Sequence, residues 1–307
     1  MEIHKEPVCV AAVEDLCGEG AVWHASEKAL YWTDINRFLI HRYDPVDGRV
    51  QTWKFEEPVT ALALTDRDDT LAVVLASCVI LWEPHSNRRH DTAFHLEGWP
   101  AVRLNDARPD PCGSLWLGSM RNNVHPDGSS GEAGGTDGIL YRFDPNGTIS
   151  EWKRDIGISN TLAWSPDLTR FYFADSLANA LRVYDFDRAT GQIGGERPFL
   201  MDFERGVPDG SAVDEEGFVW NCRFYGRCIV RVAPDGVIDK IVEMPVTNIT
   251  TCTFGGTERD TLYVTTAAID APANEKLAGS LFAIHTKVRG QAENRFRVFG
   301  NTEGHGK

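Results

Sequence analysis

Six positions in this chain carry oxygen-bearing side chains in equivalent settings. Each opens a short lead-in before an apolar run: Glu19-Gly-Ala-Val-Trp-His24, Thr60-Ala-Leu-Ala-Leu-Thr65, Asn105-Asp-Ala-Arg-Pro-Asp110, Asn160-Thr-Leu-Ala-Trp-Ser165, Asp209-Gly-Ser-Ala-Val-Asp214 and Thr250-Thr-Cys-Thr-Phe-Gly255. Their first residues are spaced by 41, 45, 55, 49 and 41. Carboxylate and amide oxygens are what a hard divalent cation binds. Two acids and two amides brought to one place are costly to bury unpaired, and a cation removes that cost. A polar residue at a strand start can instead satisfy turn amides. Two acids and two amides in equivalent repeats favour the cation.

Other chemistries lack their residues. The nine histidines show neither His-x-His nor H-E-x-x-H, which disfavours an imidazole zinc site. The seven cysteines (Cys9, Cys17, Cys78, Cys112, Cys222, Cys228 and Cys252) contain no C-x-x-C. They read as small buried hydrophobes of a reducing compartment. There is no G-x-S-x-G elbow and no Walker A loop, and Gly18-Glu-Gly20 is followed three residues on by Trp23 rather than glycine.

The elements that must position the six residues are strands. Runs at 29–33, 71–75, 114–118, 171–174, 218–221 and 262–265 are short, rich in β-branched and aromatic residues, and bounded by Gly, Pro, Asp and Asn. Turns such as Tyr43-Asp-Pro-Val-Asp-Gly48 and Phe143-Asp-Pro-Asn-Gly147 follow. A four-strand unit repeating every ~40–50 residues marks a propeller blade. Six units fill the chain, which predicts an all-β, six-bladed β-propeller forming a single domain over 1–307. The innermost strand of each blade lines the channel, so the six polar residues share one height there. The long third interval holds residues 121–138, read as a loop over the channel mouth. Ring closure calls for a strand from each end, and the apolar segments 8–13 and 296–299 are both placed in the last blade.

Composition limits the partners. The net charge is −14 and no Lys/Arg run exceeds two, so no nucleic acid is expected. The longest apolar run, 71–82, is too short for a bilayer, so no membrane is expected. The acidic Met1-Glu-Ile-His-Lys-Glu6 start lacks a signal-peptide pattern, and a cytoplasmic monomer or weak homo-oligomer is expected.

Leu16-Cys-Gly-Glu-Gly-Ala-Val-Trp23, Arg103-Leu-Asn-Asp106, Ser159-Asn-Thr-Leu-Ala-Trp164, Val207-Pro-Asp-Gly210 and Cys252-Thr-Phe-Gly-Gly256 resemble the SMP-30/gluconolactonase/regucalcin-like family, in order, from about residue 15 to about residue 285. The resemblance implies a six-bladed propeller that hydrolyses a sugar lactone to its acid with one divalent ion (Ca, Zn, Mg or Mn). It implies Glu19, Asn160 and Asp209 as metal ligands, and Arg103 and Asn105 as substrate contacts. Two departures stand out. Thr161 replaces the glycine after the family's asparagine, and Arg121-Asn122-Asn123 stands where animal members carry acids. Asn122 and Asn123 are therefore substrate-binding candidates in a less acidic pocket. Arg223 is a further cation expected near the mouth, with a surface ion pair as its alternative. Asp209 is the leading candidate for the base, and spacing leaves Glu19 open. Rival readings are a related metal-propeller esterase or lactone isomerase, and a non-catalytic calcium-binding propeller.

Overall fold

A computed structural model describes residues 6–298. Among these residues the chain forms strands and no helix. None of it is therefore a helix long and apolar enough to cross a membrane. The outermost N-terminal strand is β1 (Val8–Ala11). The first blade follows as β2 (Gly18–His24), β3 (Ala29–Asp34), β4 (Leu39–Tyr43) and β5 (Val50–Lys54). The second is β6 (Val59–Leu64), β7 (Leu71–Leu75), β8 (Cys78–Glu83) and β9 (Arg88–His95). The third is β10 (Val102–Pro109), β11 (Leu115–Arg121), β12 (Gly138–Phe143) and β13 (Ile149–Ile156). The fourth is β14 (Ser159–Trp164), β15 (Arg170–Asp175), β16 (Ala180–Asp187) and β17 (Gln192–Met201). The fifth is β18 (Val207–Val213), β19 (Val219–Phe224), β20 (Cys228–Val232) and β21 (Ile238–Glu243). The sixth is β22 (Ile249–Gly255), β23 (Thr261–Thr266) and β24 (Leu281–His285), with β1 as its outer strand.

Every blade is an antiparallel meander. The first strands of neighbouring blades touch in a closed circuit, β2–β6–β10–β14–β18–β22 and back to β2. This is a six-bladed β-propeller, as the repeat spacing predicts. Large side chains on the sheet faces interlock between blades. Trp82 of the second blade packs edge-on against Trp53 and Phe55 of the first, at 5.0 and 5.6 Å between ring centroids. Burying one such side chain is worth ~1.5–3 kcal/mol. The indole N–H of a buried Trp needs an acceptor. Asp15 serves Trp32 at 2.7 Å, and Asp110 and Asp214 serve Trp116 and Trp220 at 2.9 Å each.

The two terminal segments part company. Val8 of β1 pairs with Ala283 of β24, so the sixth sheet takes the N-terminal strand. Phe296 does not join that sheet, contrary to the expectation for 296–299. It bridges Thr65, past the end of β6, and its ring lies fully buried 5.5 Å from that of Phe143. With β1 already on the outer edge, the segment before Phe296 crosses the face opposite the strand starts. Gly290 bridges Asp214, the Thr253 hydroxyl donates to Glu293 at 2.7 Å, and the Asn294 amide donates to the Pro109 carbonyl at 3.1 Å. Phe299 lies outside the described residues.

Candidate active site

The six repeat positions all fall near the start of the first strand of a blade: Glu19 on β2, Thr60 on β6, Asn105 on β10, Asn160 on β14, Asp209 on β18 and Thr250 on β22. At that height every one of these strands loses register with its neighbour. The shifts lie between Glu19 and Val22, Val59 and Ala61, Leu104 and Ala107, Asn160 and Ala163, Pro208 and Ser211, and Ile249 and Cys252. An extra residue in one strand bends it and re-aims its side chains. Gly20 makes the turn after Glu19 with φ +58°, and a Cβ there would stand 2.9 Å from the Ala61 backbone. Glycine alone meets both demands without strain.

Glu19 and Asp209 meet through their side chains. Burial, and next the charge of Asp106, push the Glu19 carboxyl up to about 8, against the pull of the Gly20 amide, which donates to it at 3.0 Å. Burial, then the charges of Glu19 and Asp106, push Asp209 well above the usual carboxylate range. Asn160 is almost fully buried. Its Nδ2 donates to the Ser176 hydroxyl at 2.9 Å, and among the described residues its Oδ1 accepts only a long contact, 3.3 Å, from Asn105. Among the described residues no three His, Cys, Asp or Glu side chains form a metal cluster. The donor set is two carboxylates in electrostatic conflict and one amide oxygen. Those are oxygen donors suited to a hard divalent cation, and its charge would relieve the conflict.

Arg103 lies beside this set, 5% exposed. Its guanidinium is held by neutral oxygens: Asn105 Oδ1 at 2.7 Å, the Leu104 carbonyl at 3.0 Å, and Asn123 Oδ1 at 2.9 and 3.2 Å. Burial lowers its pKa to about 10. Asn105 is thus committed to protein partners, since its Nδ2 also donates to the Ser159 carbonyl at 2.9 Å. Asn123 positions Arg103. Asn122 turns away into its loop, with Nδ2 on the Pro100 carbonyl at 3.0 Å and Oδ1 on the Val124 amide at 3.0 Å. That loop reaches the first blade, where Asn36 donates to the Gly128 carbonyl and to the Ser130 hydroxyl, both at 2.8 Å.

Thr60 and Thr250 bring no charge. The Thr60 hydroxyl contacts the Val74 carbonyl of its own blade at 3.3 Å, whereas Thr250 donates across to Gly18 at 2.5 Å. Arg223 is not at the surface, and among the described residues it makes no ion pair. It is 1% exposed and gives its N–H groups to Asn179 and Gly206 at 2.7 Å and to Asn221 at 3.1 Å, with burial lowering its pKa to about 10. All seven cysteines are free. Sequence reasoning passed over Cys17 and Asp106. Burial and then the charge of Glu19 raise the Cys17 thiol, which places it at the site. Asp106 sat inside the Arg103-Leu-Asn-Asp106 motif. Strict alternation would turn it away from Asn105, but the register shift there breaks the alternation, and its charge reaches both Glu19 and Asp209.

The family described as the SMP-30/Gluconolactonase/LRE-like region matches residues 17–268. A pentonolactonase of Haloferax volcanii is 32% identical over 290 residues, 92% of this chain and 94% of that protein. A 6-deoxy-6-sulfogluconolactonase of Pseudomonas putida is 33% identical over 295 residues, 94% of this chain and 97% of that protein. Among solved structures, a calcium-binding protein, regucalcin, from Agrobacterium tumefaciens superposes with TM-score 0.87 at 26% identity, covering 97% and 98% of the two chains.

Proposed function

From a chain that belongs to the SMP-30/gluconolactonase/LRE-like family, we propose that this protein is a carboxylic-ester hydrolase that opens a sugar lactone, an aldonolactone, to the corresponding sugar acid. The lactonase relatives support the substrate class. The observation that carries the reading is the meeting of Glu19 and Asp209, each raised by burial and by acidic neighbours, beside the Asn160 amide and a guanidinium that, among the described residues, is hydrogen-bonded to neutral oxygens and to no carboxylate.

Glu19, Asn160 and Asp209 would hold one divalent cation. When bound, it polarises the ring-ester carbonyl and acidifies water. The remaining steps belong to the chain's own groups. Water attacks the carbonyl carbon and Asp209 takes its proton. A carboxylate beside the attacking water is a competent general base. Each carboxyl accepts the amide of the residue that follows it, Glu19 from Gly20 at 3.0 Å and Asp209 from Gly210, and Glu19 stays a ligand in this reading. Arg103, fixed by Asn105 and Asn123, faces the developing oxyanion and the sugar oxygens. The proton on Asp209 then goes to the ring oxygen as the C–O bond breaks. A lactone is an activated ester, so no covalent nucleophile is needed.

The test is turnover on a panel of sugar lactones before and after exhaustive chelation, with aryl esters and isomerisation monitored in parallel. Loss on chelation, recovery with a divalent ion and abolition by Asp209→Ala are expected. Full activity in the chelated protein sinks the metal site. Turnover of esters alone, isomerisation alone or no reaction replaces the lactonase reading with one of its rivals.

A further inference from the structure

Thr161 follows Asn160 on β14 and holds φ at +49°, inside the left-handed region that penalises β-branched residues. The equivalent residue of the first blade, Gly20, makes its left-handed turn at φ +58° with no such penalty. Strain of this kind persists where the surroundings over-determine it, and it concentrates at functional sites. The Thr161 side chain shows what it does there. The residue is fully buried, and its hydroxyl donates across the blade boundary to the backbone carbonyl of Asp209. The same hydroxyl lies 2.8 Å from the Ser211 hydroxyl and 3.3 Å from Asn221 Nδ2. Asn221 in turn reaches the Asp209 carbonyl at 3.3 Å, and its own oxygen accepts from Arg223 at 3.1 Å. A second strut runs in parallel. Ser176 accepts from Asn160 at 2.9 Å and donates to the Pro208 carbonyl at 2.6 Å. The backbone of Asp209 is thus pinned on both sides from the blade that carries Asn160.

We propose that Thr161 is a positioning residue, whose hydroxyl sets the placement of Asp209 relative to Asn160 and so tunes the affinity of the divalent-cation site. The proposal rests on the ligand set assigned above. A glycine in its place relaxes the backbone and loses the strut; a threonine accepts the strain to keep it.

Three variants separate strain from strut, with Mn2+ as the probe. Binding and the zero-field splitting of the bound ion are read by electron paramagnetic resonance, and melting of the metal-free protein is read alongside. Thr161→Ser keeps the hydroxyl and should match the wild type in affinity and spectrum. Thr161→Val keeps the shape without the hydroxyl and should bind Mn2+ ~10-fold more weakly, the effect of about one hydrogen bond. Thr161→Gly should melt at or above the Val variant, because its backbone accepts φ +49°. It should nevertheless share the ~10-fold loss and an altered spectrum. Wild-type affinity and spectrum in both Val and Gly variants overturn this proposal alone. A wild-type protein that binds no Mn2+ overturns the ligand set, and the proposal with it.

Discussion

Replacing Arg103 by Ala removes four hydrogen bonds, at 2.7, 2.9, 3.0 and 3.2 Å, and one buried positive charge. The two losses oppose each other in the stability of the fold. Leaving the Asn105 and Asn123 oxygens without a donor costs ~1–3 kcal/mol each if water does not replace it. Against that, burial has lowered the arginine from its ordinary 12.5 to about 10, so the charged form is held at a cost of about 3 kcal/mol that the variant no longer bears. The near-cancellation means that Arg103→Ala should fold, and the proposed metal ligands, none of which is removed, should still bind the ion. Turnover has no such compensation. If the guanidinium faces the oxyanion, its loss removes one transition-state donor and lowers kcat ~10²–10³-fold. Arg103→Lys restores only part, because a point charge cannot keep both Asn105 and Asn123 and also reach the substrate as the planar fork does. The assay is steady-state kinetics on the lactone that the wild type turns over best, with metal content and melting temperature measured on the same preparations. Wild-type kcat in Arg103→Ala would refute the reasoning and move the substrate pocket elsewhere.

The metal-free protein should grow less stable as pH rises. Glu19 holds its proton up to about 8 in the fold against 4.5 unfolded, so folding takes up a proton between those values; this contribution is complete below the lower value and lost as pH passes the upper one. Glu19→Gln stays neutral throughout, so the wild type should melt progressively further below it between about pH 4.5 and about pH 8, and a saturating divalent ion should reverse the trend; a constant difference would remove the conflict inferred at the site. A Cβ added at Gly118 would meet the Ser159 hydroxyl at 1.9 Å and its Cβ at 2.3 Å, with Ser159 fully buried and next to Asn160. Gly118→Ala should therefore cost ~1–3 kcal/mol in denaturant unfolding and weaken metal binding as well; an unchanged unfolding midpoint would show that β14 can yield.

The propeller and the height of the site were legible because rotation makes the blades equivalent: a recurring lead-in at intervals of 41 to 55 residues places its first residue at one level of the channel. What spacing does not encode is contact between blades. Asp106 enters the site through a register shift that no alternation rule anticipates, Phe296 leaves the sixth blade because β1 already fills its edge, and Arg223 finds an acceptor in the Asn179 side chain of the fourth blade, 44 residues away. The ring of polar residues itself divides into two jobs that composition cannot tell apart. The residue before each proposed ligand has its carbonyl held from the preceding blade: Gly18 by Thr250, Ser159 by Asn105, and Pro208 by Ser176. Two of those donors, Thr250 and Asn105, are ring positions that supply no ligand. Thr60 supports the rule by its exception. The blade that follows it carries no proposed ligand, and the Thr60 hydroxyl turns back to Val74 in its own sheet. A polar residue at a strand start therefore marks the neighbourhood of the site, and whether it serves as ligand or as strut is decided by what the next blade carries.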